Sequence, residues 1–343
     1  MNYSSDRRKT NPIRVGNIII GGDSPISVQS MTNTDTHDVE ATCRQVRALA
    51  EAGCDIVRIT APDVESAQTF RALKERRVGV PIVADIHFDY KVALAVAKYV
   101  DKIRINPGNI GGKEKIREVV RACREYGLPI RVGVNSGSLE KTILEKYGSP
   151  TPEALTESAL FHASLLEELD FRDIAISVKA SSTVNMIAAN RILADKTVYP
   201  LHLGVTEAGF GASAIVKSSI GIGTLLAEGI GDTLRVSLTD DPLREVEAAR
   251  EILSALGLYE GGMNIISCPT CGRTKIDLIS LAREFKERAR AEGIDKERIT
   301  VALMGCVVNG PGEAREADFG IAGGRGEGLV FRRGEIIAKV GED

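Results

Sequence analysis

Pro81-Ile-Val-Ala-Asp-Ile-His-Phe-Asp-Tyr-Lys-Val-Ala-Leu-Ala-Val-Ala-Lys-Tyr-Val-Asp-Lys-Ile-Arg-Ile-Asn106 contains one full repeat of the pattern that decides the fold. Ile82–Ile86 is a short apolar run, Lys91–Tyr99 carries apolar residues at helical spacing, and Lys102–Ile105 is the next short run. Such runs between polar segments read as buried strands, and the stretch joining them as a helix. Upstream the alternation reaches Asp55–Thr60 and Ile26–Met31; downstream it reaches Ile130–Val134, Ile174–Val178, Leu201–Val205 and Leu234–Leu238. Helical periodicity is clearest in Val39–Ala52, Val64–Arg76, Lys91–Tyr99, Lys113–Tyr126, Pro152–Leu169, Val184–Leu193 and Leu243–Leu256, several opened by Asp, Ser or Thr as caps. Eight strand units between residues 26 and 257 predict a (β/α)8 TIM barrel. Strand counting alone leaves a doubly wound sheet open. Residues 13–22 read as a hairpin that plugs or flanks the barrel base.

The register changes after Gly257, where Gly257-Leu-Tyr-Glu-Gly-Gly262 closes a helix and loosens the chain beyond it. Residues 1–257 are therefore expected to form the barrel and residues 258–343 a small α+β domain. Its elements are Met263–Ser267, a helix over Lys275–Ala291, Ile299–Leu303, and short strands near Phe319–Ile321, Gly328–Arg332 and Glu335–Val340. This domain carries Cys268-Pro-Thr-Cys271, then Cys306, then Glu313 in Cys306-Val-Val-Asn-Gly-Pro-Gly-Glu313. Both cysteine loops come directly after strand-like segments, so neighbouring strand ends bring them toward each other. Three thiolates do not close a structural zinc site, which takes four ligands, but they hold a [4Fe-4S] cluster whose fourth iron takes another donor. By spacing alone Glu313 is either that donor or a surface carboxylate.

With 43% hydrophobic and 27% charged residues and a net charge of −3, the composition is that of an ordinary soluble protein without a general attraction to nucleic acid. The polar N-terminus and the lack of a long apolar run point to a cytoplasmic chain with no membrane span. Six cysteines are too sparse for a disulfide scaffold in a reducing compartment. Cys43, Cys54 and Cys123 read as small core residues.

A TIM barrel places its chemistry at the C-terminal ends of its strands. There the sequence sets Arg58 and Thr60, Asp85 and His87, Arg104 and Asn106, Arg131 and Asn135, Ser177 and Lys179, His202 and Glu207, and Arg235 and Ser237. Five strands thus deliver a cation to one mouth, opposed in the sequence only by Asp85 and Glu207. Each arginine alone is accounted for by a carboxylate on a neighbouring helix. Five together repel by roughly 1 kcal/mol per close pair even at water-like dielectric, which points to a multiply anionic ligand of diphosphate size gripped by guanidinium forks. His87 reads as substrate contact or as a structural group. Glu207 reads as a carboxylate that exchanges a proton at the reacting carbon. Gly221-Ile-Gly223 reads as a loop turn, with phosphate cradling the weaker alternative.

The motifs Pro25-Ile-Ser-Val-Gln-Ser-Met-Thr-Asn-Thr34, Ala84-Asp-Ile-His-Phe88, Ile103-Arg-Ile-Asn-Pro-Gly-Asn-Ile110, Arg131-Val-Gly-Val-Asn-Ser-Gly-Ser-Leu139, Ser267-Cys-Pro-Thr-Cys-Gly-Arg-Thr274 and Met304-Gly-Cys-Val-Val-Asn-Gly-Pro-Gly-Glu313 occur in this order over nearly the whole chain. In them the sequence resembles the bacterial 4-hydroxy-3-methylbut-2-enyl diphosphate synthases. It resembles their two-domain form, since there is no room for the extra domain of plant-type members. The resemblance implies one [4Fe-4S] cluster per subunit on Cys268, Cys271, Cys306 and Glu313. It implies substrate contacts from Arg58, Arg104, Asn106, Arg131, Asn135, Lys179, Arg235 and Ser237, with Asp85, His87, Glu207 and the exchangeable Glu313 as catalytic groups.

The implied activity is that of an oxidoreductase of the methylerythritol phosphate route to isoprenoids. It opens and dehydrates 2-C-methyl-D-erythritol 2,4-cyclodiphosphate with two electrons from reduced ferredoxin or flavodoxin. A head-to-tail homodimer is expected, because helix 242–257 descends about 24 Å from the mouth at 1.5 Å per residue and the short linker reaches at most about 20 Å. The alternatives are a zinc or dithiol barrel enzyme acting on a phosphorylated small molecule, and a non-enzymatic tail that docks nucleic acid or protein. Residues 263–343 mix acidic with basic groups and offer few aromatics for stacking, against the latter.

Overall fold

The computed structural model describes residues 7–259, 261–306, 312 and 315–341. The chain forms two compact units, residues 1–258 and 259–343.

In the first unit a hairpin, β1 (Ile13–Val15) paired antiparallel with β2 (Ile18–Ile20), precedes eight barrel strands. These are β3 (Ser27–Met31), β4 (Ile56–Thr60), β5 (Ile82–Asp85), β6 (Lys102–Ile105), β7 (Ile130–Asn135), β8 (Ile174–Lys179), β9 (His202–Leu203) and β10 (Thr233–Leu234). All pair in parallel, each with its sequence neighbour, and β10 returns to pair with β3. The seam between β8 and β9 is closed by one parallel bridge, Ile176 to Leu201. The barrel reading holds and the doubly wound alternative falls. β9 and β10 are shorter than their apolar runs predict.

The strands are buried on both faces, yet they alternate. Val57, Ile59, Ala84, Ile103, Ile105, Val132, Val134, Ile176, Val178, Leu203 and Val236 pack outward against the helices. The other parity, Arg58, Asp85, Lys102, Arg104, Arg131, Ser177, Lys179 and His202, fills the interior. A polar barrel interior is costly to desolvate, which marks it as the site. Below these polar residues Ile56, Val83 and Ala175 join Ile13, Val15 and Ile20 in one apolar cluster, so the hairpin seals the N-terminal end.

Glycine and serine enrichment hid one element. Gly211–Ala227 is a helix, and Gly221-Ile-Gly223 lies within it rather than in a turn or phosphate loop. A Cβ at Gly221 would meet Met186 Cε at 2.6 Å and Val205 Cγ2 at 2.7 Å, so this glycine lets the helix approach the barrel. Cys43, Cys54 and Cys123 are buried, and burial pushes the thiols of Cys54 and Cys123 up to about 12.

The second unit is a five-stranded sheet in sequence order: β11 (Asn264–Ser267), β12 (Thr300–Met304), β13 (Phe319–Gly323), β14 (Glu327–Arg332) and β15 (Glu335–Gly341). The first three run parallel and the last two add antiparallel. The helix Leu278–Ala291, capped by Asp277, starts three residues later than its periodicity suggests. It packs Leu278, Leu281 and Phe285 against Val301 and Leu303. Among the described residues no helix is long and apolar enough to cross a membrane.

Candidate functional site

Asp85 is the hub of the barrel interior. Its Oδ1 accepts from Arg104 Nη1 at 3.0 Å, and its Oδ2 lies 3.5 Å from Arg58 Nε and 3.6 Å from His87 Nε2. Burial alone would raise its pKa. Arg58, the nearby His87 and Arg104 outweigh that and hold the carboxyl well below its usual range. Arg58 also turns its guanidinium onto Met31 Sδ, with Nη2 at 2.9 Å. Burial lowers its pKa to about 10, offset in part by Asp85 and reinforced by Arg235 and Arg104.

The five cations expected at the mouth, Arg58, Arg104, Arg131, Lys179 and Arg235, all occupy this interior. Arg235 has a partner that sequence reasoning missed. Glu245, from the helix Pro242–Ala255, accepts from Arg235 Nη2 at 3.1 Å and Nε at 3.3 Å, and also binds Ser30 Oγ and the Leu238 N–H. Asp85 and Glu207 are thus not the only opposing carboxylates, because a core-facing helix supplies one.

Arg131 has no such partner. It is 0% exposed, and none of its three guanidinium nitrogens has a hydrogen-bond partner among the described residues. Lys102, one inward position below Arg104, is a sixth interior cation not anticipated from sequence; it is equally buried and its Nζ is also unpartnered. Burial, then neighbouring cations, drive the pKa values of Arg131, Lys102 and Lys179 down. Buried charge without a counter-charge is strongly unfavourable, and an anionic ligand at the Arg58–Arg104–Arg131 level supplies one.

Around this centre Asn106 is buried and its Oδ1 accepts from the Gly108 N–H at 3.1 Å, capping the turn Pro107–Ile110. Asn135 and Ser237 are half-buried at their strand ends. His87 is half-exposed beside Asp85. Glu207 stands apart from the arginine network. It is exposed on the loop after β9, makes no ion pair among the described residues, and holds a left-handed backbone at φ 53°. A non-glycine residue in that conformation costs of order 1–3 kcal/mol, and Arg77, Asp170 and Arg333 share it.

In the second unit the two cysteine loops leave β11 and β12, which are adjacent and parallel. The loops are stitched together: the Gly305 N–H donates to Cys268 Sγ at 3.2 Å, and the Lys275 N–H donates to Gly305 O at 3.1 Å. A Cβ at Gly305 would meet Thr274 Cγ2 at 2.7 Å, so glycine permits the approach. Hydrogen bonds from the Arg273 backbone and side chain lower the Cys271 pKa, which favours its thiolate. Cys268 and Cys306 are half-buried and Cys271 is exposed. Three soft donors on adjoining loops, one already accepting an N–H···S bond, suit an iron–sulfur cluster in donor chemistry. Among the described residues, however, no three cysteine, histidine or carboxylate side chains are gathered closely enough to hold a metal ion. Glu313 lies outside the described residues.

Residues 10–250 match the GcpE TIM-barrel domain and residues 264–343 the GcpE protein C-terminal domain. The chain is 59% identical over 339 residues to a 4-hydroxy-3-methylbut-2-en-1-yl diphosphate synthase (flavodoxin) of Clostridium perfringens, covering 98% of this chain and 96% of that protein. It is 58% identical over 337 residues to the protein of the same name from Geobacter sulfurreducens, covering 98% and 94%. Among solved structures, a phospho-2-dehydro-3-deoxyheptonate aldolase from Thermotoga maritima superimposes with TM-score 0.52 at 16% identity over 73% of this chain and 74% of that one. A type I 3-dehydroquinate dehydratase from Clostridium difficile does so with TM-score 0.52 at 14% identity, covering 73% and 97%. At such identities the likeness speaks for the barrel fold alone.

Proposed function

The chain belongs to the GcpE family, and from that premise we propose that it is an iron–sulfur reductase that converts 2-C-methyl-D-erythritol 2,4-cyclodiphosphate to 4-hydroxy-3-methylbut-2-enyl diphosphate. Flavodoxin, which its relatives carry in their names, or ferredoxin serves as the electron donor. The observation that carries the reading is the unpartnered, fully buried Arg131 guanidinium within a ring of cations, a site completed by a polyanion.

In this reading Arg58, Arg104, Arg131, Lys179 and Arg235 hold the two phosphates and take up the charge on the departing phosphate oxygen. Asp85 keeps Arg58 and Arg104 from splaying apart before the ligand arrives. Asn106, Asn135 and Ser237 orient the ring from the strand ends. His87 faces the same mouth, and Glu207 donates a proton to, or stabilises, the hydroxyl that is lost. Cys268, Cys271, Cys306 and Glu313 would hold a [4Fe-4S] cluster, one per subunit, which supplies single electrons and a site where an exchangeable oxygen donor yields to substrate. Metal binding would draw these thiolates together, since such sites form as the metal is taken up. The first unit then serves as the substrate-binding domain and the second as the cluster domain.

A head-to-tail homodimer, in which each cluster domain serves the partner's mouth, is supported by the chain path. Helix Pro242–Ala255 begins at the mouth end and runs toward the sealed end. A cytoplasmic location suits thiols that must stay reduced.

Anaerobic purification, iron and sulfide analysis, and turnover of the cyclodiphosphate with reduced flavodoxin test the proposal together. A protein that carries zinc without acid-labile sulfide and leaves the cyclodiphosphate intact is instead the zinc or dithiol barrel enzyme. Sedimentation of the active enzyme tests the dimer, and full activity as a monomer refutes it.

A further inference from the structure

Two of the proposed substrate-facing amides sit on loops that share one anchor outside the barrel. Asn135, the last residue of β7, leads directly into the segment Ser136-Gly-Ser-Leu-Glu140. At its end the Glu140 carboxylate is gripped from the helix Pro152–Glu167: Oε2 accepts from Ser158 Oγ at 2.8 Å, and Oε1 pairs with His162 Nε2. Asn106 opens the turn after β6, and Gly108 of that turn lies against the same pair. A Cβ at Gly108 would stand 2.9 Å from His162 Cε1 and 3.2 Å from Glu140 Oε1. Gly108 is also the residue whose N–H holds the Asn106 side chain.

His162 is 0% exposed, and its Nδ1 has no partner among the described residues. An imidazolium would leave an N–H buried and unsatisfied there. A neutral ring with its proton on Nε2 leaves only a lone pair, the smaller penalty. Burial lowers the His162 pKa against the pull of Glu140, which favours the same state. Ser158, also buried, holds the second carboxylate oxygen, so the Glu140 side chain is fixed at both ends.

We propose that His162 is a positioning residue for substrate binding: by donating from Nε2 to Glu140 and abutting Gly108, it fixes the two loops that present Asn106 and Asn135 to the ligand. The inference rests on the proposed diphosphate-binding role of this mouth. Nothing in the sequence pattern singles out His162, since it lies on a helix and more than twenty residues from the strand ends it serves.

The test compares His162→Ala, His162→Gln and Gly108→Ala in the cluster-loaded enzyme. Contacts made equally to bound substrate and transition state appear in KM and leave kcat unchanged. The expected result is a rise in KM of about tenfold for His162→Ala with kcat within about threefold of the parent. His162→Gln, whose amide donates from the Nε2 position, recovers most of the loss. Gly108→Ala reproduces the His162→Ala effect by pushing the turn off the ring. Affinity for inorganic diphosphate, measured by calorimetry on the same proteins, should fall in parallel, and this reads the loop positions independently of turnover. Unchanged KM and diphosphate affinity in His162→Ala overturn the inference, as does a loss of thermal stability alone or a glutamine variant no better than alanine. If the parent protein does not convert the cyclodiphosphate, the functional reading fails, while the calorimetric comparison still decides the role of His162.

Discussion

The Arg104 guanidinium occupies the space where Gly133 has no side chain: a Cβ at Gly133 would come within 2.7 Å of Arg104 Nη2, and the same group donates to Gly133 O at 3.4 Å. The two residues lie on adjacent strands, both facing inward, so the glycine shapes the site through absence of bulk. Gly133→Ala should drive Arg104 off Asp85 and raise KM for the cyclodiphosphate by about tenfold or more. Overpacking of this kind costs typically 1–3 kcal/mol. Steady-state kinetics with a thermal melt checks both, and a KM equal to that of the parent refutes the steric account.

Asp85 is the carboxylate in contact with both Arg58 and Arg104, so Asp85→Asn leaves these buried cations without their shared counter-charge. Breaking a buried pair by removing one partner costs about 3–5 kcal/mol, and the ligand-free barrel should lose stability on that scale. Saturating inorganic diphosphate should restore much of it by replacing the missing negative charge. Denaturant unfolding with and without diphosphate reads the difference, and equal loss in both conditions contradicts an anion site.

The same carboxylate sets an acid limit. Its folded pKa lies below the unfolded value of about 4, so its stabilisation is complete above about pH 4 and is lost as pH falls through the folded value. A melting series below pH 5 should therefore show a steeper decline for the parent than for Asp85→Asn. Parallel curves would place the acid transition on other groups.

Glu207 carries opposite expectations for stability and turnover. Glu207→Gly relieves the left-handed backbone at φ 53° and should keep or raise the melting temperature. It should also cut kcat by about 100-fold or more, the usual scale of a lost proton-transfer group. Glu207→Gln should lose kcat similarly without the gain in stability. Retained turnover in both variants removes Glu207 from the chemistry.

Cys306→Ser should abolish iron, acid-labile sulfide and turnover together, while diphosphate affinity stays within about twofold because the arginines belong to the other folded unit. Visible absorption and calorimetry on one preparation read both quantities. Full activity in an iron-depleted variant refutes the cluster assignment.

The barrel was legible because the outward parity is apolar from β4 to β8: Ile82–Asp85 and Lys102–Ile105 announce themselves, as do the arginines set between their aliphatic residues. β9 and β10 shrink from their predicted lengths where inward polar and glycine residues, His202, Gly204, Thr233 and Arg235, interrupt the run and leave few ladder bonds. The helix Gly211–Ala227 escaped notice because Gly211, Ser213, Ser218, Ser219, Gly221 and Gly223 suit loops by intrinsic propensity, and tertiary packing overrides that preference. The five mouth cations could be read from strand periodicity, whereas Glu245 and His162 could not. Each lies on a helix, Glu245 meeting Arg235 and His162 meeting Glu140, and helical spacing says which residues face inward without saying which neighbour they meet. Cys268, Cys271 and Cys306 stand out in the sequence by their spacing, whereas the N–H···S bond to Cys268 and the hydrogen bond between the two loops required coordinates.

The hairpin Ile13–Ile20 packs its apolar residues against the lower end of the barrel interior. In the proposed reaction, substrate and product would then both pass by the C-terminal ends of the strands. A product molecule still held by the arginines would block its successor, so product should inhibit competitively against substrate, and the rate of product release would set a ceiling on turnover however fast electrons are delivered.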